Sequence, residues 1–302
     1  MTASRPLPPA LTRHAPLLFV LLWSTGFIGA KLGLPHAPPL GFLAVRYACV
    51  VVLMGAAAWW ARAAWPRGAR AWGHLAVAGL LVHATYLGGV FISIDRGLPA
   101  GVSSLVVGLQ PLLTAVGAGW VLGETVRPRQ WLGLAMGLAG VVLVLASRLA
   151  GAGLDLGTLG ALASLPGLGA AAVALAGITA GTLYQKRFCP QFDLRTGAVA
   201  QFLPCLVVTG ALALLTETRP IGWSSGHFQF ALAWLVLVLS LGAIGLLNLL
   251  IRSGTAVNVA SLFYMVPPCT AVIAWALFGE TLGGTALVGM PLAMAGVWLA
   301  RR

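Results

Sequence analysis

Carboxylates are scarce in this chain, which carries six acidic residues against eighteen basic ones in 302 positions. None of the six, Asp95, Glu124, Asp155, Asp193, Glu217 and Glu280, falls inside an apolar run. That leaves no buried carboxylate to build the usual proton relay or sodium cage. Cysteine is as sparse: Cys49, Cys205 and Cys269 sit within apolar runs and Cys189 in a basic loop, which excludes a disulfide framework and a CxxC metal pair. No metal and no cofactor are expected. Polar surface of any kind is short. With 59% hydrophobic and 8% charged residues and a mean hydropathy of +0.95, the chain cannot cover a water-soluble globule of this size, so its solvent is largely lipid. The net charge of +12 is spread singly or in twos and threes between apolar runs, with no contiguous basic face for phosphates to track, which excludes a nucleic-acid partner.

What the chain has in abundance is apolar runs long enough for a helix to cross about 30 Å of hydrocarbon in about 20 residues. They lie near 16–34, 40–60, 71–93, 98–121, 130–148, 157–184, 195–215, 228–250, 254–278 and 284–300. These segments are too long for barrel strands and lack their alternation, so an all-α integral membrane protein of ten transmembrane helices is expected. The first run, behind Arg5 and Arg13, has the look of a secretory signal. It reads instead as an uncleaved span, because residues 15–32 have a counterpart at 171–188.

That counterpart belongs to a duplication. Shifting the sequence by 156 residues lays Gly123-Glu124-Thr125 on Gly279-Glu280-Thr281, Ala139-Gly140-Val141 on Ala295-Gly296-Val297, Pro111 on Pro267 and Cys49 on Cys205, without a gap. The expected organisation is a tail at 1–15, a first five-helix repeat at 16–150 and a second at 151–302. Thirteen Lys and Arg residues fall on the side holding both termini and four on the other, so both termini are expected in the cytoplasm. Five helices per repeat is an odd number, so the second repeat starts from the opposite face. The repeats are therefore expected to be inverted, the geometry that lets equivalent contacts close either side in turn. Glu124 directly precedes the fifth run, where a carboxylate would cap a helix start.

With these elements in hand, the chain resembles the EamA-type branch of the drug/metabolite transporter superfamily. The resemblance is carried by "WSTGFIGAKLGLPHAPPLGFLAVRYACVVVL" in the first repeat and by the paired stretches "QPLLTAVGAGWVLGETVRPRQWLGLAMGLAGVVLV" and "VPPCTAVIAWALFGETLGGTALVGMPLAMAGVWL". It implies ten helices, a bacterial inner-membrane location, and export or exchange of a small metabolite, most plausibly an amino acid or related amphipathic solute. The second repeat departs from the first in having Phe202 at the position of Arg46, so an asymmetric cavity is expected.

Several residues are candidates for the site. Arg46 is the one cation well inside a run, and an intramembrane charge points to function unless it neutralises helix-end carbonyls. His83 is the only histidine near the middle of a run, with Tyr86 less than a turn away; it is the one route for a coupled proton, or else simply hydrogen-bonded to a neighbour. Pro111 and the pair Pro267-Pro268 interrupt equivalent runs and free backbone carbonyls near Val107 and Phe263. Gln110 and Tyr264 beside them, and Trp23 and Thr25 in the first run, fit the wall of a substrate cavity. Gly133-x-x-x-Gly137 and its counterpart Gly289-x-x-x-Ala293 read as faces for close helix approach. An integral membrane enzyme acting on lipids is the alternative. It would need a nucleophile, metal or acid-base cluster, and no such spacing is present. A channel would need a filter-like loop or a charged ring.

Overall fold

A computed structural model of the chain describes residues 9–98, 100–151, 166–189, 191–278 and 283–301. Asp155 and Glu280, and with Glu280 the second copy of Gly-Glu-Thr, lie outside the described residues, as do Arg5 and Arg302. The described part is helical throughout. Eight helices are long and apolar enough to cross a membrane: α1 (His14–His36), α2 (Pro39–Trp60), α3 (Ala69–Asp95), α4 (Ser103–Leu122), α6 (Pro166–Phe188), α7 (Leu194–Thr216), α8 (Gly226–Ser253) and α9 (Ala256–Ile273). Two more, α5 (Pro128–Gly151) and α10 (Gly284–Ala300), have shorter apolar stretches and pack on each other.

The α5–α10 crossing explains the small residues. A Cβ built on Gly140 would lie 2.6 Å from the Gly289 carbonyl oxygen, and one on Gly133 would lie 2.7 Å from that of Gly296. Only glycine allows backbones this close. Shifted by 156, Gly133 is Gly289 and Gly140 is Gly296, so each contact is the other with its partners exchanged. Two like surfaces meeting about a twofold axis give this pattern.

The helices are interrupted at matching positions. α4 breaks at Gly108-Leu109, just before Pro111, where Leu109 N–H donates to Val106 O at 3.2 Å in a tightened turn. α9 tightens to a 3₁₀ turn over Leu262–Met265, just before Pro267-Pro268. Proline has no N–H to give and its ring crowds the carbonyl four residues back, so both breaks follow from the sequence. α3 widens to π geometry over Leu80–Leu87 and α8 over Leu235–Ala243, which coincide to within one residue at the same offset. α1 is broken at Thr25, whereas its counterpart α6 runs unbroken from Pro166 to Phe188.

The helix ends are stitched by the few charges available. At the end bearing the chain termini, Lys186 donates to the carbonyls of Ile251 and Gly254, Arg187 to that of Val121, and Arg252 to that of Phe192. Cations are favoured at helix C-termini, where carbonyls lack partners. Asp193 caps α7 and pairs with Arg195 at 2.9 Å, and the Arg195 guanidinium holds its carboxyl below the usual carboxylate range. Burial pushes the Cys189 thiol up to about 11, consistent with an inert side chain. At the opposite end Glu217 accepts from Leu40 N and Gly41 N, both at 2.8 Å, and Arg219 bonds Asp95 at 2.8 Å. Glu124 corrects the expectation that it serves the helix following it. Its carboxylate accepts from Ala256 N at 3.1 Å, capping α9 of the other half.

Candidate functional site

Large aromatic side chains of α1, α3 and α9 gather around Trp23. Trp23 and Tyr86 stack with ring planes 9° apart and centroids at 6.3 Å, and Phe263 meets Trp23 edge-on at 5.3 Å. Beside this stack lies a narrow pocket, open on one side, with a cavity volume of about 40 Å³, lined by Trp23, Gly26, Phe27, Ala30, Arg46, Tyr86, Leu87, Val90, Phe91, Leu235, Leu239 and Ile244. Arg46 is the one charged residue among them. Its side chain is buried, and its Nε donates to Ser240 Oγ at 2.9 Å. Ser240 belongs to the π stretch of α8, and Tyr86 to that of α3. An extra residue per turn re-aims the side chains of such a stretch. No described acid lies in or beside the pocket: Asp95, Glu124, Asp193 and Glu217 are all bound at helix ends.

Of the residues singled out by sequence, Trp23, Tyr86 and Arg46 are therefore brought together. Thr25 sits at the break in α1, donates to Leu22 O at 2.7 Å and accepts from Trp234 Nε1 at 2.9 Å, fastening α1 to α8 beside the pocket. Ser24, next to it, offers its carbonyl to Thr270 Oγ1 of α9 at 3.2 Å. Gln110 is buried and donates to Thr114 Oγ1 at 3.2 Å, leaving Oε1 without a partner. Tyr264 lies over Gly137 of α5 with its hydroxyl buried and unpartnered. None of Gln110, Tyr264, Pro111, Pro267 and Pro268 lines the pocket beside Trp23.

His83 also lies apart from that pocket. Its ring stacks on Phe202 at 4.1 Å, its Nε2 stands 3.5 Å from Gln201 Oε1, and its Nδ1 is buried without a partner. From there a polar chain runs toward the terminus-bearing end. Gln201 donates to Gln185 Oε1 at 3.2 Å, and Gln185 donates to Asn248 Oδ1 at 2.7 Å, all three side chains buried. Sequence reasoning missed these amides. The available signal was their presence in otherwise apolar helices, one each in α6, α7 and α8, but the sequence put Gln185 in a loop and gave no reason for the three to meet.

Chemically, the arrangement holds no nucleophile with a base and no metal cluster among the described residues. It offers an aromatic wall, one buried guanidinium, and unpartnered polar atoms next to broken helices. Such features suit the binding of a small solute.

Comparison with known proteins gives the same fold and a family. The EamA-like transporter family matches residues 15–146 and 165–302. A protein of Salmonella typhimurium named "Probable amino-acid metabolite efflux pump" is 28% identical over 297 residues, covering 94% of this chain and 92% of its own. One of Streptantibioticus cattleyicolor, named "Probable terminal-alkyne amino-acid exporter", is 26% identical over 292 residues, covering 95% and 92%. A solved crystal structure at 22% identity covers 97% of both chains with a TM-score of 0.78, a likeness of fold alone.

Proposed function

The chain belongs to the EamA-like transporter family, a multi-pass membrane transporter and not an enzyme, and from that premise we propose that it exports a small amphipathic metabolite, an amino acid or a relative of one, by alternating access. The observation that carries the reading is the pocket in which Trp23, Tyr86 and Arg46 meet between helices of both halves. Two inverted five-helix repeats, ten spans in all, are supported by the exchanged glycine contacts of α5 with α10 and by breaks at equivalent positions. Both termini are cytoplasmic in this reading, as the excess of Lys and Arg at their end of the molecule favours in a bacterial inner membrane. The names of the relatives from Salmonella typhimurium and Streptantibioticus cattleyicolor favour amino-acid-like cargo and outward transport.

Gln110 and Tyr264 belong to the same route. Each holds a buried polar atom without a partner beside a broken helix, and such atoms cost about 1 to 3 kcal/mol unless something satisfies them. A passing solute would do so. Saturable counterflow of a labelled amino acid in liposomes tests the function. Tyr264→Phe, which removes an unsatisfied group, leaves the melting temperature equal or higher while weakening apparent affinity roughly 5- to 150-fold. Absence of counterflow for every solute tried, with folded protein in the bilayer, would refute the transport reading.

A further inference from the structure

The pocket carries one feature that an apolar cavity has no use for, and its surroundings restrict what it can bind. Arg46 is buried, lies in a span, and among the described residues makes one hydrogen bond, to a neutral hydroxyl. A guanidinium removed from water without an anion is costly, and proteins keep one there when a partner arrives from outside. The anion does not come from the protein's described acids, which are all engaged at helix ends. The equivalent position in the second half is Phe202, already stacked on His83, so the cleft has a single cation. An inorganic phosphate would need several more donors than this wall provides. A carboxylate needs the planar guanidinium alone, and the Trp23–Tyr86 stack suits an apolar or aromatic remainder.

Resting on the transport reading of this pocket, we propose that Arg46 binds the carboxylate of the cargo, that Trp23 and Tyr86 hold its apolar part, and that the preferred cargo is therefore an amphipathic organic carboxylate whose amino group is dispensable. Nothing in the lining offers an anion to an ammonium group. Free amino acids are accepted through their carboxylate, and the same site takes carboxylic acids and N-acylated amino acids of similar size.

Four probes separate the contributions: hydrocinnamate, phenylalanine, hydrocinnamyl alcohol and phenethylamine, with affinities measured on the purified full chain by calorimetry. Hydrocinnamate and phenylalanine should bind within a few-fold of each other, each roughly ten- to a hundredfold tighter than the alcohol or the amine. Arg46→Gln should lower the acid to the level of the alcohol and leave the alcohol unchanged, and Arg46→Lys should restore part of the preference. The wild-type ratio of acid to alcohol decides the matter even if a variant fails to fold. A ratio near one, a ratio that survives in Arg46→Gln, preference for the amine, or no binding of any probe would overturn the proposal. Counterflow in liposomes keeps the two readings apart: flux indifferent to the carboxylate sinks this inference and spares transport, whereas hydrocinnamate binding as expected with no flux of any solute sinks transport and spares the site.

Discussion

The two ends of the central cleft occupy equivalent positions in the duplicated sequence and are finished in opposite ways. Toward the end with loops 35–38 and 217–225, Leu239 lines an open pocket, and Gly29, Val45 and Ile92 are the sequence neighbours of its lining residues Ala30, Arg46 and Phe91. The residues 156 positions away toward the terminus-bearing end, Gln185, Gln201, Asn248 and His83, join in a buried polar chain. Duplication supplies the same helices to both ends, and divergence makes one face apolar and loose, the other polar and latched. The polar chain thus ties α6, α7 and α8 together toward the terminus-bearing end. A hydrogen-bonded latch is directional and complete only when every member is aligned, so it opens all at once.

The crossing of α5 and α10 is where the halves remain alike, and breaking it should have the largest effect. Gly296→Leu would drive a side chain into the backbone of Gly133 and Gly137. The expected outcome is loss of monodisperse protein or a destabilisation of at least about 3 kcal/mol, read by gel filtration and thermal melting. Gly245→Leu, at a glycine with open space around it, should behave as wild type. Equal behaviour of the two variants would mean that the close approach is not required.

Next comes the latch itself. Gln201→Ala leaves Gln185 Oε1 without its donor and His83 without its neighbour, and the unmade bonds should shift the closed-to-open balance by about 1 to 3 kcal/mol, or roughly 5- to 150-fold. Single cysteines near the terminus-bearing end of α7 and α8 would then label faster from that face, while Val45→Ala at the equivalent site of the other end changes little. An unaltered labelling rate in Gln201→Ala would remove the latch from the account.

His83 sharpens the same contrast, since its counterpart is Leu239. If transport is proton-linked, His83→Gln should abolish the response to an imposed proton gradient while exchange persists. A response equal to wild type assigns His83 to the latch alone.

How much of this was legible beforehand follows from what each feature depends on. Long apolar runs and an ungapped offset are properties of the chain itself, so the helices and the duplication could be read directly. Pro111 and Pro267 announce their breaks because proline lacks an N–H wherever it stands. The break at Thr25 and the π stretches around His83 and Ser240 have no such marker in the local sequence. Trp23, Tyr86 and Arg46 could be nominated singly, by residue type and depth, but their meeting needed the fold. Gln185, Gln201 and Asn248 went unnoticed because a lone amide in an apolar helix says nothing about a partner 16 or 63 residues away. Glu124 misled for a related reason, since a helix start close in sequence was assumed where one 132 residues on was the true partner.

The smallest expected effect lies in the ion pairs, one at each end of the molecule among the described residues. Asp193 at the terminus-bearing end accepts from Arg195 N and pairs with the Arg195 side chain, which together hold its carboxyl below the ordinary carboxylate value. A folded-state value lower than the unfolded one stabilises the protein above the unfolded value, near pH 4 for aspartate, and that contribution disappears as pH falls through the depressed folded value. The pair is partly exposed, at 39% and 26% of the side-chain surface, so solvent screening limits it to about 0.5 kcal/mol. Asp193→Asn keeps an oxygen to accept from Arg195 N and removes only the charge. Its melting temperature should fall below that of the wild type by a degree or two at about pH 6, and the gap should close on acidification to about pH 3. A gap of constant size across that range would mean that the capping geometry, which the amide preserves only in part, matters and the charge does not.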